Sequence, residues 1–195
     1  MSKLYLVRHG QTFFNRRKII QGWCDSPLTE AGIAQAEALR DHFEGEGIRF
    51  DHVYSSTAER ACDTAEVLMR GMLPYERCKG LREFNFGKLE GCSTDTILPG
   101  KGRFGDFLVP FGGEGEQEVM ERVSATLTEI MLRPGHESVL AVSHGASIFT
   151  FLIRWYDESS VKIDRILGNC TAYKFEFDSG TRAFSCVGYF DPTAA

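Results

Sequence analysis

The chain has 195 residues, with 22 Lys+Arg against 27 Asp+Glu, a formal net charge of −5, 43% hydrophobic residues and 25% charged ones. That length suffices for one domain with elements packed on both faces of a sheet, and that composition excludes a disordered chain. The negative balance argues against non-specific binding to nucleic acid or an anionic membrane, and no stretch reaches the ~20 apolar residues of a membrane span.

Residues 3–7 form a short apolar run between polar neighbours and predict a buried strand with Arg8 and His9 at its carboxyl end. Thr29 is a candidate N-cap for a helix that places Ile33, Ala36, Leu39 and Phe43 on one face and stops at Gly45-Glu46-Gly47. A second strand is expected over 50–55. Ser56-Thr57-Ala58-Glu59 reads as a capping box, followed by helical spacing through Ala58, Ala61, Cys62, Ala65, Leu68, Met69 and Met72. Arg60 falls in the first turn of that helix.

From 80 to 115 the chain is rich in glycine and aromatic residues with weak periodicity, which is long for a connection in a compact α/β domain and predicts a lid or small cap. Helical spacing returns over 116–132 through Val119, Val123, Leu127, Ile130 and Met131, and ends at Pro134-Gly135. Residues 139–142 predict a strand that runs into Ser143-His144-Gly145, 146–156 a helix, and 171–177 with 183–189 a closing hairpin about Asp178-Ser179-Gly180. The expected fold class is α/β: a three-layer sandwich with a mainly parallel central sheet, helices on both faces and a small inserted cap region. In such sheets ligands gather at the carboxyl ends of the strands, so Arg8-His9, Ser55-Ser56 with Arg60, and Ser143-His144 should converge.

Six cysteines are scattered without a C-x-x-C pair, and nothing before Leu4 resembles a signal-peptide core. Free thiols in a cytoplasmic protein, mostly filling the core, are expected, with no zinc cluster.

A neutral imidazole can attack an electrophile, and an arginine presents a forked set of donors to an anion. Singly, each of Arg8-His9, Arg60 and His144 has an ordinary reading as a core histidine or solvated arginine. Two histidines at strand ends with two arginines, in an acidic chain, make those separate readings strained and predict one concentrated basic pocket for a phosphate. Phosphoryl transfer also needs a proton for the leaving oxygen, for which Glu83 is a candidate that spacing alone does not select over Glu76 or Glu90.

The stretches LVRHGQTFFN (6–15), QGWCDSPLTEAG (21–32), VYSSTAERACDTAE (53–66), LREFNFGKLEG (81–91), GGEGEQEVMERV (112–123) and VLAVSHGASI (139–148) run in one order along the chain. Together they resemble the histidine phosphatase superfamily, which includes cofactor-dependent phosphoglycerate mutases and many small phosphatases. The resemblance implies one such domain over 1–195, with a cap near 80–115. It further implies that His9 becomes phosphorylated, that Arg8, Arg60 and His144 hold the phosphoryl oxygens, and that Glu83 is the proton donor. Asn15 falls where the family adds a phosphate contact, and Gln21 and Gly22 where it lines the substrate entrance. One branch takes its acid from an aspartate directly after the second histidine; that position is Gly145 here, which supports Glu83. Mutases of the family typically carry Arg-His-Tyr-Gly around the acid and a larger insertion beyond it, whereas this chain has Arg82-Glu83-Phe84-Asn85-Phe86-Gly87 and a short connection to Gly112. Gly115 replaces a serine common in relatives.

These features predict a phosphomonoester hydrolase that works without a metal or other cofactor on a small-molecule phosphomonoester. A phosphoglycerate mutase-type isomerase and a silent phospholigand-binding protein are the alternatives. Phe84, Phe86, Phe104, Phe107 and Phe111 read first as a cap core and second as an apolar substrate wall. Arg16, Arg17 and Lys18 read as a solvated charge run. No nucleic-acid or membrane partner is expected, and a homodimer is left open.

Overall fold

Alternation along the strands builds the layers. The computed structural model describes residues 1–97 and 104–193. Within it, β1 (Ser2–Arg8), β2 (His52–Ser56), β3 (Glu76–Cys78), β4 (Ser138–Ser143), β5 (Ala172–Asp178) and β6 (Ala183–Phe190) form one sheet in the order β3-β2-β4-β1-β5-β6. Strands β3, β2, β4 and β1 run parallel, and the β5–β6 hairpin adds antiparallel to β1. The helices are α1 (Phe13–Arg16), α2 (Glu30–Gly45), α3 (Glu59–Met69), α4 (Thr94–Ile97), α5 (Glu116–Met131) and α6 (Gly145–Arg154).

On one face Tyr5, Val7, Val53, Leu140 and Val142 pack with Ala36, Leu39 and Phe43 of α2 and Ala61, Ala65 and Leu68 of α3. On the other, Leu4, Leu6, Tyr54, Val139 and Ala141 pack with Val119, Val123 and Leu127 of α5 and Ile148, Phe151 and Leu152 of α6. Successive strand side chains point to opposite faces, so one continuous apolar run serves both layers. The result is the expected α/β sandwich with helices on both sides of a mainly parallel sheet. Thr29 caps α2 by accepting from Gly32 N at 3.0 Å.

Several local expectations need correction. Ser56 does not open a capping box. It ends β2, and α3 begins after Ala58, which makes no side-chain cap. Met72 lies beyond α3, which closes with Arg70 in a left-handed conformation (φ 46°), and Met72 and Ile33 are both exposed. Strand β3 escaped prediction because its three residues show no apolar alternation at the sheet edge. The second strand starts at His52 rather than residue 50, and α6 stops at Arg154, two residues before its expected end.

In the predicted cap, Phe84, Phe86 and Phe104 are buried in mutual edge-on or tilted contacts, in the same cluster as α5. Phe107 and Phe111 pack against that cluster. Those rings are core, not a substrate wall. Residues 98–103 of this segment lie outside the described residues. Arg16, Arg17 and Lys18 are exposed, with Lys18 paired to Asp95. All six cysteines are free thiols; Cys62, Cys170 and Cys186 are buried and the others half-buried. Among the described residues, no helix is long and apolar enough to cross a membrane, and no three His, Cys, Asp or Glu residues group as a metal cluster.

Candidate active site

Strand order decides what meets. Because β2, β4 and β1 are neighbours and Arg8 pairs with Ser143, the residues just past each strand end fall side by side. His9 N donates to Ser143 O at 3.0 Å, and the His9 and His144 rings meet edge-on with centroids 5.2 Å apart.

The His9 tautomer follows from its partner. Its Nδ1 lies 2.8 Å from Gly10 O, a group that only accepts, so Nδ1 carries the hydrogen and Nε2 is bare. Arg60 Nε, 3.3 Å away, donates to that Nε2. Burial first, then the charges of Arg60 and Arg8, hold the His9 pKa well below its ordinary 6.5 and keep the ring neutral near pH 7. His144 is depressed likewise, by burial and then Arg60.

Arg60 is fully buried and spans the site. Its Nη1 donates to Asp25 Oδ1 (2.9 Å) and Cys24 O (3.1 Å), and its Nη2 to Gly22 O (2.9 Å) and Gln21 O (3.4 Å). The loop 21–25 thus wraps the guanidinium. Asp25 Oδ2 also accepts from Glu59 N, so the start of α3 is already taken by a carboxylate and is not an open anion site.

Arg8 reaches Leu167 O from Nη1 at 2.6 Å. Burial lowers its pKa, opposed by the charge of Glu83. A Cβ on Gly145 would lie 3.1 Å from both Arg8 Nε and Ile166 Cγ2, so that glycine makes room for the arginine. Gly10 is likewise required by packing, since a Cβ there would come within 2.6 Å of Gly32 O, at the start of α2.

Glu83 is buried against the first turn of α6. Its Oε2 accepts from Ala146 N (2.9 Å), while Oε1 accepts from Ser147 N (2.9 Å), Ser147 Oγ (2.8 Å) and Phe84 N (3.0 Å). Oε2 therefore keeps the greater capacity for another partner. Asn15 Oδ1 accepts from Thr12 N (3.2 Å) and Asn169 Nδ2 (3.2 Å), and the same Asn169 nitrogen reaches His9 O at 3.0 Å. Gln21 accepts from Thr12 Oγ1 at 2.7 Å. All eight residues singled out in the sequence therefore belong to one connected assembly at the carboxyl edge of the sheet.

The assembly is held by residues that the sequence did not single out. The Glu90 carboxylate accepts from Gly22 N (3.0 Å), Trp23 N (2.8 Å), Cys24 N (3.1 Å) and Phe86 N (3.1 Å). Burial alone would raise its pKa, but these bonds and the Cys24 thiol outweigh burial and lower it. Gly22 is mandatory, because a Cβ there would sit 2.1 Å from Phe84 O. Burial pushes the Cys24 thiol up to about 12, so it stays protonated. Arg122 uses a bidentate grip on Glu114 and reaches the carbonyls of Gly80, Arg82 and Glu83, fixing the backbone that carries Glu83. Half-exposed Trp23 donates from its indole to Glu83 O at 3.2 Å, and the Arg82 guanidinium lies over its ring at 4.2 Å. Glu90, Glu114 and Arg122 lay inside the matched stretches, but nothing in their spacing separates a buried carboxylate or arginine from a solvated one.

Two buried nitrogens of this site, Arg8 Nε and His144 Nδ1, have no hydrogen-bond partner among the described residues. Leaving each so costs about 1–3 kcal/mol unless a ligand satisfies it; the charges of Arg60, Arg122 and Arg8 surround His144, while Arg8 faces Arg60 and the Glu83 carboxylate. The arrangement suits an anion beside a bare imidazole nitrogen.

Comparison with known proteins agrees with this geometry. The family model described as "Histidine phosphatase superfamily (branch 1)" matches residues 4–189. The probable phosphoglycerate mutase GpmB of Proteus mirabilis is 34% identical over 160 residues, covering 76% of this chain and 72% of that protein. Phosphoglycerate mutase from Bacillus anthracis superimposes with a TM-score of 0.82 at 25% identity, covering 98% of this chain and 94% of the other. Bacillus stearothermophilus YhfR gives 0.80 at 28% identity, covering 96% of both chains. Phosphoserine phosphatase from Entamoeba histolytica, solved in complex with 3-phosphoglyceric acid, gives 0.78 at 26% identity, covering 97% of this chain and 96% of the other. A bare imidazole ringed by arginines at the edge of this sheet, and a family match running almost end to end, make the chain a member of branch 1 of the histidine phosphatase superfamily.

Proposed function

We propose that the chain is a phosphomonoester hydrolase that works through a phosphohistidine on His9. The observation that carries this reading is the Nδ1–H···Gly10 O bond, which leaves Nε2 bare among Arg60, Arg8 and His144. In the first step the Nε2 lone pair bonds to phosphorus as the ester P–O bond breaks, and Glu83 gives its proton to the departing alkoxide oxygen. In the second, water attacks phosphorus, the N–P bond breaks and returns its electron pair to His9, and Glu83 takes the water proton. The arginines and His144 offset the charge on the phosphoryl oxygens throughout; Arg60 Nε–H, which caps Nε2 in this structure, passes to one of those oxygens. These residues supply the nucleophile, acid and anion donors themselves, and the scheme calls for no cofactor.

The substrate class is a small-molecule phosphomonoester, with the leaving group lying toward Trp23 and Arg82 beside Glu83. A second reading, a mutase-type isomerase, is favoured by the names of the curated relatives, one of which is given above. Against it stand the phenylalanine-rich stretch after Glu83 and the short link to Gly112. A silent phospholigand-binding protein would not need both Glu83 and a bare Nε2.

The test is incubation with a broad panel of phosphomonoesters, including phosphoglycerates, with phosphate release and positional exchange followed together. Phosphate release that disappears in His9→Ala supports hydrolysis. Positional exchange without release transfers the assignment to the mutase, and activity retained by His9→Ala overturns both.

A further inference from the structure

The donor state of His144 is not fixed by the backbone, as that of His9 is. Its Nε2 lies 2.7 Å from Ser56 Oγ, and a hydroxyl can either give or accept a hydrogen there. Ser56 is fully buried, and its Oγ also accepts from Ala58 N at 3.3 Å. Two arrangements follow. If His144 Nε2 carried the hydrogen, Ser56 Oγ would accept twice and its own O–H would have no acceptor among the described residues. If Ser56 gives its hydrogen to Nε2, every donor around Ser56 is satisfied and the histidine hydrogen moves to Nδ1. The first arrangement leaves two buried groups unmade, the Ser56 hydrogen and a bare Nδ1, whereas the second leaves only the Nδ1–H, so the second is favoured.

We infer that Ser56 is a positioning residue that locks His144 in the Nδ1–H tautomer, so that the buried Nδ1 left without a protein partner is a hydrogen-bond donor aimed at the phosphoryl oxygen. This explains why a serine, not a simple cap, stands at the end of β2: its hydroxyl bridges the start of α3 and the imidazole at the start of α6. It also gives the two histidines opposite duties through opposite partners. Gly10 O, an obligate acceptor, makes His9 Nε2 a lone-pair donor to phosphorus, and Ser56 makes His144 an N–H donor to oxygen. The catalytic consequence rests on the phosphohydrolase reading, while the tautomer itself does not.

The test is a long-range 1H–15N spectrum of the labelled full chain near pH 7.5, with His144 assigned by its loss in His144→Asn. The wild-type ring should be protonated at Nδ1 and bare at Nε2. In Ser56→Ala that pattern should give way to Nε2–H or a mixture while the His9 signals stay unchanged. Inhibition by inorganic phosphate should weaken about tenfold, the worth of one hydrogen bond, and Ser56→Thr should restore both readouts. A wild-type His144 protonated at Nε2 overturns the inference, as does a Ser56→Ala protein with the Nδ1–H tautomer and unchanged phosphate inhibition. If Ser56→Ala does not fold, the wild-type spectrum alone decides. An Nδ1–H tautomer in a protein that releases no phosphate from any ester would sink the phosphohydrolase reading and leave this one standing.

Discussion

Replacing Arg122 with alanine tests whether the Glu83 carboxylate, the proposed proton donor, is placed from behind. The guanidinium engages all of its N–H groups: Nε and Nη2 on Glu114 at 3.0 and 2.9 Å, Nη1 on Gly80 O and Arg82 O at 3.0 Å each, and Nη2 again on Glu83 O at 3.4 Å. Truncation leaves Glu114 largely buried without its cation and frees three carbonyls of the segment that ends in Glu83. Breaking a buried pair from one side costs about 3–5 kcal/mol. The low end applies here, about 3 kcal/mol, because the two side chains remain 22% and 11% exposed and Glu114 keeps its bond from Asn85 N. A drift of about 1 Å in a catalytic group costs on the order of 100-fold in rate, so kcat should fall by about 10- to 100-fold with a smaller change in KM. Urea unfolding gives the stability and steady-state hydrolysis of the best ester in the panel gives the rate. Arg122→Lys keeps the charge but loses the fork, and should fall between the two. An Arg122→Ala protein within about 0.5 kcal/mol of wild type, or with unchanged kcat, would refute this account of how Glu83 is held.

Gly22→Ala should lower kcat/KM by at least about tenfold, since its Cβ would meet Phe84 O at 2.1 Å and push away the carbonyl that Arg60 grips; wild-type kinetics would count against the packed-loop reading. Glu90→Gln removes one carboxylate oxygen from four N–H donors and should cost about 2 kcal/mol in urea unfolding. Glu90 has a depressed pKa, so its contribution is present above the ordinary 4.5 and is lost as pH falls through the lower folded value. The histidines act in the other pH window. His9 and His144 are held neutral by burial and by Arg60, so below about pH 6.5 the unfolded chain binds protons that the folded chain refuses. Stability should then fall with pH by up to about 1.4 kcal/mol per unit for each histidine. His144→Asn should flatten the slope between pH 6.5 and 5.5, and an identical slope in that variant would contradict the burial argument.

The sequence by itself determined the elements whose patterns are local. The runs 3–7 and 139–142, the stripe from Val119 to Met131 and the Thr29 cap were legible because strand and helix periods write themselves into spacing. His9, Arg60 and His144 were legible because each sits where such an element begins or ends. Tertiary structure decided the rest. Ser56 was read as a helix cap because S-x-x-E is a local signature, yet its hydroxyl faces His144, 88 residues away. The roles of Glu90 and Arg122 depend on backbone groups brought close from distant loops, and burial, not spacing, separates those two from the solvated charges around them. The glycines beside the two histidines are also explained only by distant neighbours: Gly10 permits the close approach of α2, and Gly145 that of Arg8. Most telling is the order β2-β4-β1: it alone sets His9 beside His144, because hydrogen bonding between strands, not proximity in the chain, fixes which strand ends become neighbours.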